Sequence, residues 1–169
     1  METNILRSMV YAITHIGNSR ENHEDNYLLG ERYMLPKQVK SMSTQRKLEN
    51  DAMSFSNEFC VAVSDGMGGY ECGEVASLLT VQYLSSHYNE LIVQAKKNKC
   101  KIESFVTKLN NYVCSEAKQK NEPQNMGATL CGFIALDEAC YCFNVGDSRM
   151  YQYSAGILKQ VTVDNTPED

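Results

Sequence analysis

The chain has 169 residues, 43% hydrophobic and 22% charged, which is enough for one domain with a sizeable core and excludes disorder along its whole length. Its net charge of -5, from 16 basic and 21 acidic residues, lacks the basic footprint of nucleic-acid binding, so no nucleic-acid partner is expected. No apolar run approaches the ~20 residues of a membrane span and METNILRSMV lacks the order of a signal peptide, so the chain reads as soluble, cytoplasmic and without a membrane partner.

Seven cysteines (Cys60, Cys72, Cys100, Cys114, Cys131, Cys140 and Cys142) form no C-x-x-C pair and are odd in number. That pattern favours reduced thiols over a disulfide framework or a zinc knuckle.

In chain order, MVYAITHIG (9–17) alternates loosely as a strand, and NYLLG (26–30) is its expected hairpin partner across the polar turn NSRENHED. Residues 31–58 are polar, mixed in charge and without clear periodicity, so they are expected as a long loop or insertion. FCVAVSDG (59–66) is a nearly continuous apolar run, expected as a strand covered on both faces.

Val75, Leu78, Leu79 and Tyr83 then follow helical spacing, as do Ile102, Phe105, Val106, Leu109 and Val113, predicting helices over roughly 72–94 and 102–120. Lys96, Lys97, Lys99 and Lys101 read as a solvated helix end and connection. From 127 the period falls to two, and ATLCGFIAL, ACYCFNVG, RMYQYS and ILKQVTV predict an antiparallel meander. Strands, helices and strands again give an α+β fold in a single domain over 1–169.

Acidic or glycine-bearing turns stand at strand ends: Glu24-Asp25, Asp65-Gly66, Asp147 and Asp164. If the strands converge, these carboxylates meet, and like charges a few ångströms apart repel and raise each other's pKa. A hard divalent cation resolves the repulsion, and an all-oxygen site suits Mg²⁺ or Mn²⁺. Gly66 leaves its carbonyl free to turn toward a metal, and Gly68 and Gly69 are free to take positive φ. Taken alone, the stretch is equally a glycine turn between strand and helix with Asp65 as a cap. The absence of G-K-[ST] argues against a phosphate-cradling P-loop.

Together, SRENHEDNYLL, VAVSDGMGGYECGEVAS, MGATLCGFI and FNVGDSRMYQYSAGILKQVTVDNT resemble the metal-dependent serine/threonine protein phosphatases of the PPM or type 2C family. The D-G-M-G-G form is that of bacterial members. The resemblance implies an αββα sandwich of two antiparallel sheets flanked by helices, with a two-metal centre of Mn²⁺ or Mg²⁺ at one end of the sheets. It implies that Asp65 bridges both metals, that the Gly66 carbonyl ligates the second, and that Glu24 and Asp25 hold that metal directly or through water. Arg20 falls where the family binds substrate phosphate, which a guanidinium fork suits. Thr129 and Asp147 match positions that bond metal-bound waters.

The implied reaction is hydrolysis of phosphoserine and phosphothreonine in proteins by a metal-bridging water attacking in line, without a covalent phosphoenzyme. Met67 stands where some relatives carry a proposed general-acid histidine, which leaves protonation of the leaving group to water, and it is a candidate cover for the metal cleft. His23 reads as an exposed turn histidine; His15 and His87 receive no role, and Cys72 reads as packed. The resemblance further implies a phosphoprotein substrate and a partner serine/threonine kinase.

The family's later aspartates for the first metal are not found before the chain stops at VTVDNTPED. Asp164-Asn165-Thr166 follows the meander directly and is not assigned to metal. Three readings stand: a fragment or incomplete product of a phosphatase, C-terminally truncated; a natural non-catalytic relative that binds phosphoproteins or regulates; or a domain completed by another chain. Weak or no turnover by these 169 residues is expected, and self-association through open sheet edges.

Overall fold

The computed structural model describes residues 7–67, 72–119, 126–137 and 139–165. The chain runs β1 (Ser8–Thr14), β2 (Asp25–Leu29), β3 (Arg32–Tyr33), α1 (Pro36–Gln45), β4 (Glu49–Phe55) and β5 (Phe59–Met67). It continues through α2 (Gly73–Ser86), α3 (Tyr88–Lys97), α4 (Lys99–Gln119), β6 (Gly127–Ala128), β7 (Leu130–Ala135), β8 (Cys140–Val145), β9 (Tyr151–Ser154) and β10 (Ile157–Gln160).

A six-stranded antiparallel sheet in the order β3-β2-β5-β7-β8, with β6 also paired to β5, carries the helices α2, α3 and α4 on one face. Two separate two-stranded pairs, β1-β4 and β9-β10, lie outside this sheet, and β1-β4 starts a second strand layer. A cavity of about 540 Å³ lies between the layers, lined by β1, β2, β5, β7 and residues 148–150. The architecture is the expected α+β sandwich with helices outside strands.

Burial explains the helical layer. On α4, Ile102, Phe105, Leu109, Val113 and Ala117 recur every three or four residues and all are buried, so one stripe of the helix seals against the sheet side. Each fully buried large side chain contributes about 1.5–3 kcal/mol relative to exposure. Between the sheet and α4, α2 is buried nearly all round through Ala76, Leu79, Val81 and Leu84. The expected helix over 72–94 is divided at His87, whose φ of -113° and ψ of 19° leave helical geometry. The lysine-bearing connection is itself helical, ending α3 and starting α4.

Four expectations change. The partner of β1 is β4, in register from Ser8 opposite Phe55 to Thr14 opposite Glu49, whereas β2 pairs with β3 and β5. Residues 31–58 are therefore an insertion with structure: β3, α1 and β4. ENDAMSF has the composition of a loop, and pairing with β1 overrides that local preference. Val39 and Met42 of α1 close a second small core with Tyr27, Leu29 and Met34. Asn26 fastens it, accepting from the Tyr27 and Met34 amides and donating to the Met34 carbonyl.

Strand β5 is covered on its helix face, while its other face is buried at Phe59, half-buried at Val61 and 50% exposed at Val63, so the expected cover on both faces holds only at its start. The predicted meander is two hairpins, β7-β8 in the large sheet and β9-β10 outside it. Cys72 is buried, as expected of a packed thiol.

Candidate metal centre

Antiparallel pairing brings the start of β2, the end of β5 and the end of β8 to one end of the large sheet. There Arg20, Glu24, Asp25, Asp65, Gly66 and Asp147 line a single cleft of about 510 Å³, together with Ile16, Asn22, His23 and Met67. Six of the seven residues expected at a site thus meet. Thr129 does not line this cleft.

Asp25 and Asp65 are directly opposite in the β2-β5 ladder. Partial burial, then the charge of Asp25 and a hydrogen bond with it, then Asp147, push the Asp65 carboxyl up to about 6, against the pull of Arg20. Asp25 is raised by burial and by Glu24. Glu24 is raised by burial, then by Glu74, with Arg20 opposing. Glu74, in the first turn of α2, was not singled out from the sequence; its Oε2 is buried with no hydrogen-bond partner. Its signal was an acid at the positive end of a helix.

Gly66 has a steric reason of its own beside the expected one. A Cβ there would lie 1.9 Å from the Gly73 carbonyl oxygen and 2.8 Å from that of Glu24. A Cβ on Gly73 would lie 2.7 Å from the Glu24 carboxyl carbon. Backbone meets backbone where β5 ends and α2 begins, and the Gly66 N–H donates to the Glu24 carbonyl at 3.1 Å. The expectation for Gly68 and Gly69 lies outside the described residues.

The buried Thr129 is bonded to protein groups next to the cleft. Its Oγ1 accepts from the Asp65 N–H at 2.9 Å and lies 2.6 Å from the Ser148 hydroxyl, while its own N–H donates to the Asp65 carbonyl at 2.8 Å. Ser64 Oγ donates to the Thr129 carbonyl at 2.7 Å. The result is a staple that holds Asp65 and draws in the residue after Asp147. Gly146, at φ +95°, starts that turn, and a Cβ there would strike the Thr129 methyl at 2.8 Å.

His23 is buried, not exposed. Its Nε2 lies 2.8 Å from Thr14 Oγ1, its Nδ1 has no hydrogen-bond partner, and burial lowers its pKa. Asp164 does not line the cleft and is paired bidentately with Arg149, at 2.6 Å and 3.0 Å. Met67 lines the cleft and is 55% exposed.

Among the described residues, no three His, Cys, Asp or Glu side chains gather closely enough to hold a metal by themselves. The donor chemistry nonetheless fits a hard divalent cation. A carboxylate pair that repels itself, a further carboxylate and a backbone carbonyl are all hard oxygen donors, the kind such cations take, and such cations keep several waters of their own.

Helices outside an antiparallel sheet, a second strand layer, and an oxygen-rich cleft where the strand ends converge make an α+β sandwich with its candidate site at one end of the sheet. The chain belongs to the protein phosphatase 2C family, whose family model matches residues 42–168.

The serine/threonine phosphatase stp of Listeria monocytogenes is 31% identical over 112 residues, covering 65% of this chain and 44% of that protein. PstP of Mycobacterium tuberculosis is 27% identical over 120 residues, 71% of this chain and 23% of that one. The solved Mycobacterium tuberculosis PstP/Ppp matches with a TM-score of 0.64 at 24% identity, over 94% of this chain and 55% of that chain. The PstP catalytic domain solved with two manganese ions gives 0.63 at 24%, over 95% and 58%. The chain spans less than half the length of these curated relatives.

Proposed function

We propose that this chain carries the phosphate-facing half of a protein serine/threonine phosphatase that hydrolyses phosphoserine and phosphothreonine with Mg²⁺ or Mn²⁺. The observation that carries the reading is the Asp25–Asp65 pair at the floor of a cleft that also holds Arg20 and Asp147. Glu24, Asp25, Asp65 and the Gly66 carbonyl are the groups to hold the cations. When bound, those cations supply a water activated at neutral pH and neutralise charge on the phosphoryl group. Arg20 orients the substrate phosphate through its guanidinium fork. Asp147 accepts hydrogen bonds from solvent at the cleft, and Thr129 keeps the Asp65 backbone in place.

The test is hydrolysis of a phosphothreonine peptide with Mn²⁺ by the protein containing these residues. Loss of turnover on Asp65→Ala supports the reading, and an inactive metal-loaded protein refutes it. A second reading, a phosphoprotein-binding module without turnover, is favoured by the lack of a three-ligand side-chain cluster among the described residues. It predicts peptide binding with no phosphate release.

The partners that follow are a phosphoprotein and the kinase that opposes the phosphatase. A cytoplasmic setting is supported by the odd number of cysteines and their spacing, which favour reduced thiols. Among the described residues no helix is long and apolar enough to cross a membrane. Self-association is supported by the apolar residues that β1 and the β9-β10 hairpin expose, including Tyr11, Ile13, Tyr153, Ile157 and Leu158. A monomer by light scattering refutes it.

A further inference from the structure

The inserted helix α1 ends on Arg46, which sits in the left-handed region at φ 49° and ψ 40°. That conformation suits glycine and is unfavourable for a side chain as large as arginine, so what the side chain does there is informative. Its Nη1 donates to the Gly17 carbonyl at 3.1 Å and its Nη2 to the Arg20 carbonyl at 3.2 Å. One fork therefore spans the turn that ends in Arg20.

The same contact is closed from behind. His15 Nδ1 accepts from the Gly17 N–H at 2.8 Å, and its Nε2 lies 3.2 Å from the Arg46 carbonyl, which defines the neutral Nε2–H tautomer as the donor. Ser43, one turn earlier on α1, accepts from the His23 N–H at 2.9 Å. Five hydrogen bonds thus tie residues 15–23 to the end of α1 and to each other. At its other end α1 is fixed by Pro36 in its first turn, by Gln38 Oε1 accepting from the Leu35 N–H, and by Gln38 Nε2 donating to Glu49. Val39 and Met42 bury its middle. The helix is a rigid support on which a turn without strand or helix structure of its own is mounted.

We propose that Arg46 is a positioning residue, supported by Ser43 and His15, that fixes Arg20 at the rim of the acidic cleft. The insertion between β3 and β4 thereby sets the phosphate-binding side of the site. The inference rests on the reading of Arg20 as the phosphate ligand. Arg46 touches backbone carbonyls only and takes no part in the chemistry. A lysine in its place offers a single ammonium where the turn presents two carbonyls.

Arg46→Gly separates the fork from the helix end, because glycine keeps the left-handed cap and removes the guanidinium. Hydrogen exchange by mass spectrometry, in Mg²⁺ buffer, is expected to show residues 17–22 exchanging about tenfold faster in Arg46→Gly, with β5 and β7 unchanged. Calorimetry with inorganic phosphate is expected to show affinity weakened about fivefold, with Mg²⁺ affinity within about twofold of wild type, a fivefold change being about 1 kcal/mol.

Unchanged exchange in residues 17–22 overturns the inference. So does faster exchange with unchanged phosphate affinity, or equal loss of phosphate and Mg²⁺ affinity, which marks a general structural role. Arg20→Ala is the separate control. If it leaves phosphate affinity unchanged, the reading of Arg20 fails, while the exchange result still decides whether Arg46 holds the turn.

Discussion

Asp25 and Asp65 face each other directly across β2 and β5, two carboxylates in one rung of an antiparallel ladder. Side chains so placed have Cβ atoms about 4.5–5.5 Å apart, and like charges there destabilise the pair. Removing one charge should therefore stabilise the metal-free protein. Asp25→Asn is expected to raise stability in EDTA at pH 7 by on the order of 1 kcal/mol, read from the urea midpoint. A lower midpoint would mean that the two carboxylates do not repel in the folded chain.

Cation binding should act in the opposite sense and depend on the same pair. A site filled at 100 times its dissociation constant stabilises by about 2.7 kcal/mol. Mn²⁺ is expected to raise the melting temperature of the wild-type protein and to leave Asp65→Asn unchanged. Equal stabilisation of both would place the bound cation away from Asp65.

The metal-free protein should show two opposing pH slopes. Asp65 ordinarily titrates near 3.8 and is pushed up to about 6 in the fold. The native state then holds more protons than the unfolded chain between those values, and stability falls as pH rises through that window. The difference corresponds to ~3 kcal/mol before screening, and at this partly exposed position to on the order of 1 kcal/mol. His23 works the other way: burial lowers its pKa from 6.5, so its contribution is present above that value and is lost as pH falls. In EDTA, Asp65→Asn should leave stability rising toward pH 7, and His23→Gln should leave it falling between about 4 and 6. Parallel profiles for the two variants would refute both assignments.

Much of this site was legible because its chemistry lies in short segments. HED, SDG and VGDS each name a carboxylate at a strand end, and antiparallel pairing then leaves few ways to arrange them. Long-range partnering was not legible. The pairing of β1 with β4, 35 residues after β1 ends at Thr14 and β4 begins at Glu49, is decided by a tertiary surface, and β4 is too polar to declare itself. His23 looked exposed for the same reason, since its partners come from elsewhere in the chain: Thr14 of β1 beside its ring, and Ser43 of α1, from the stretch read as a loop, at its N–H. Arg46 was invisible as a positioning group because hydrogen bonds to backbone carbonyls leave no pattern in side-chain identity.

Gly66 should be intolerant of any side chain, whether or not metal is bound. A Cβ there would sit 1.9 Å from the Gly73 carbonyl oxygen, which belongs to backbone and has no rotamer to escape through. Gly66→Ala is expected to cost about 2–3 kcal/mol or to prevent folding, measured by urea denaturation in EDTA. Gly17→Ala is the comparison: its Cβ would meet nothing within 4 Å, and only its φ of +80° is unfavourable, so a loss near 1 kcal/mol is expected. Equal losses would show that backbone conformation, and not the contact with α2, explains Gly66.

Thr129 gives the sharpest separation of a supporting role from a chemical one. Its hydroxyl is the partner of the Asp65 N–H and of Ser148. Thr129→Val keeps the shape and leaves that amide without its acceptor, which costs about 1–3 kcal/mol; Thr129→Ser keeps the hydroxyl and should recover most of it. Because Asp65 is held by its backbone here, the valine variant should also weaken Mn²⁺ binding, in proportion to the lost stability across both variants. A Thr129→Val protein of wild-type stability that has nonetheless lost turnover would instead mean that the hydroxyl works on solvent at the cleft, and the staple would be the wrong description.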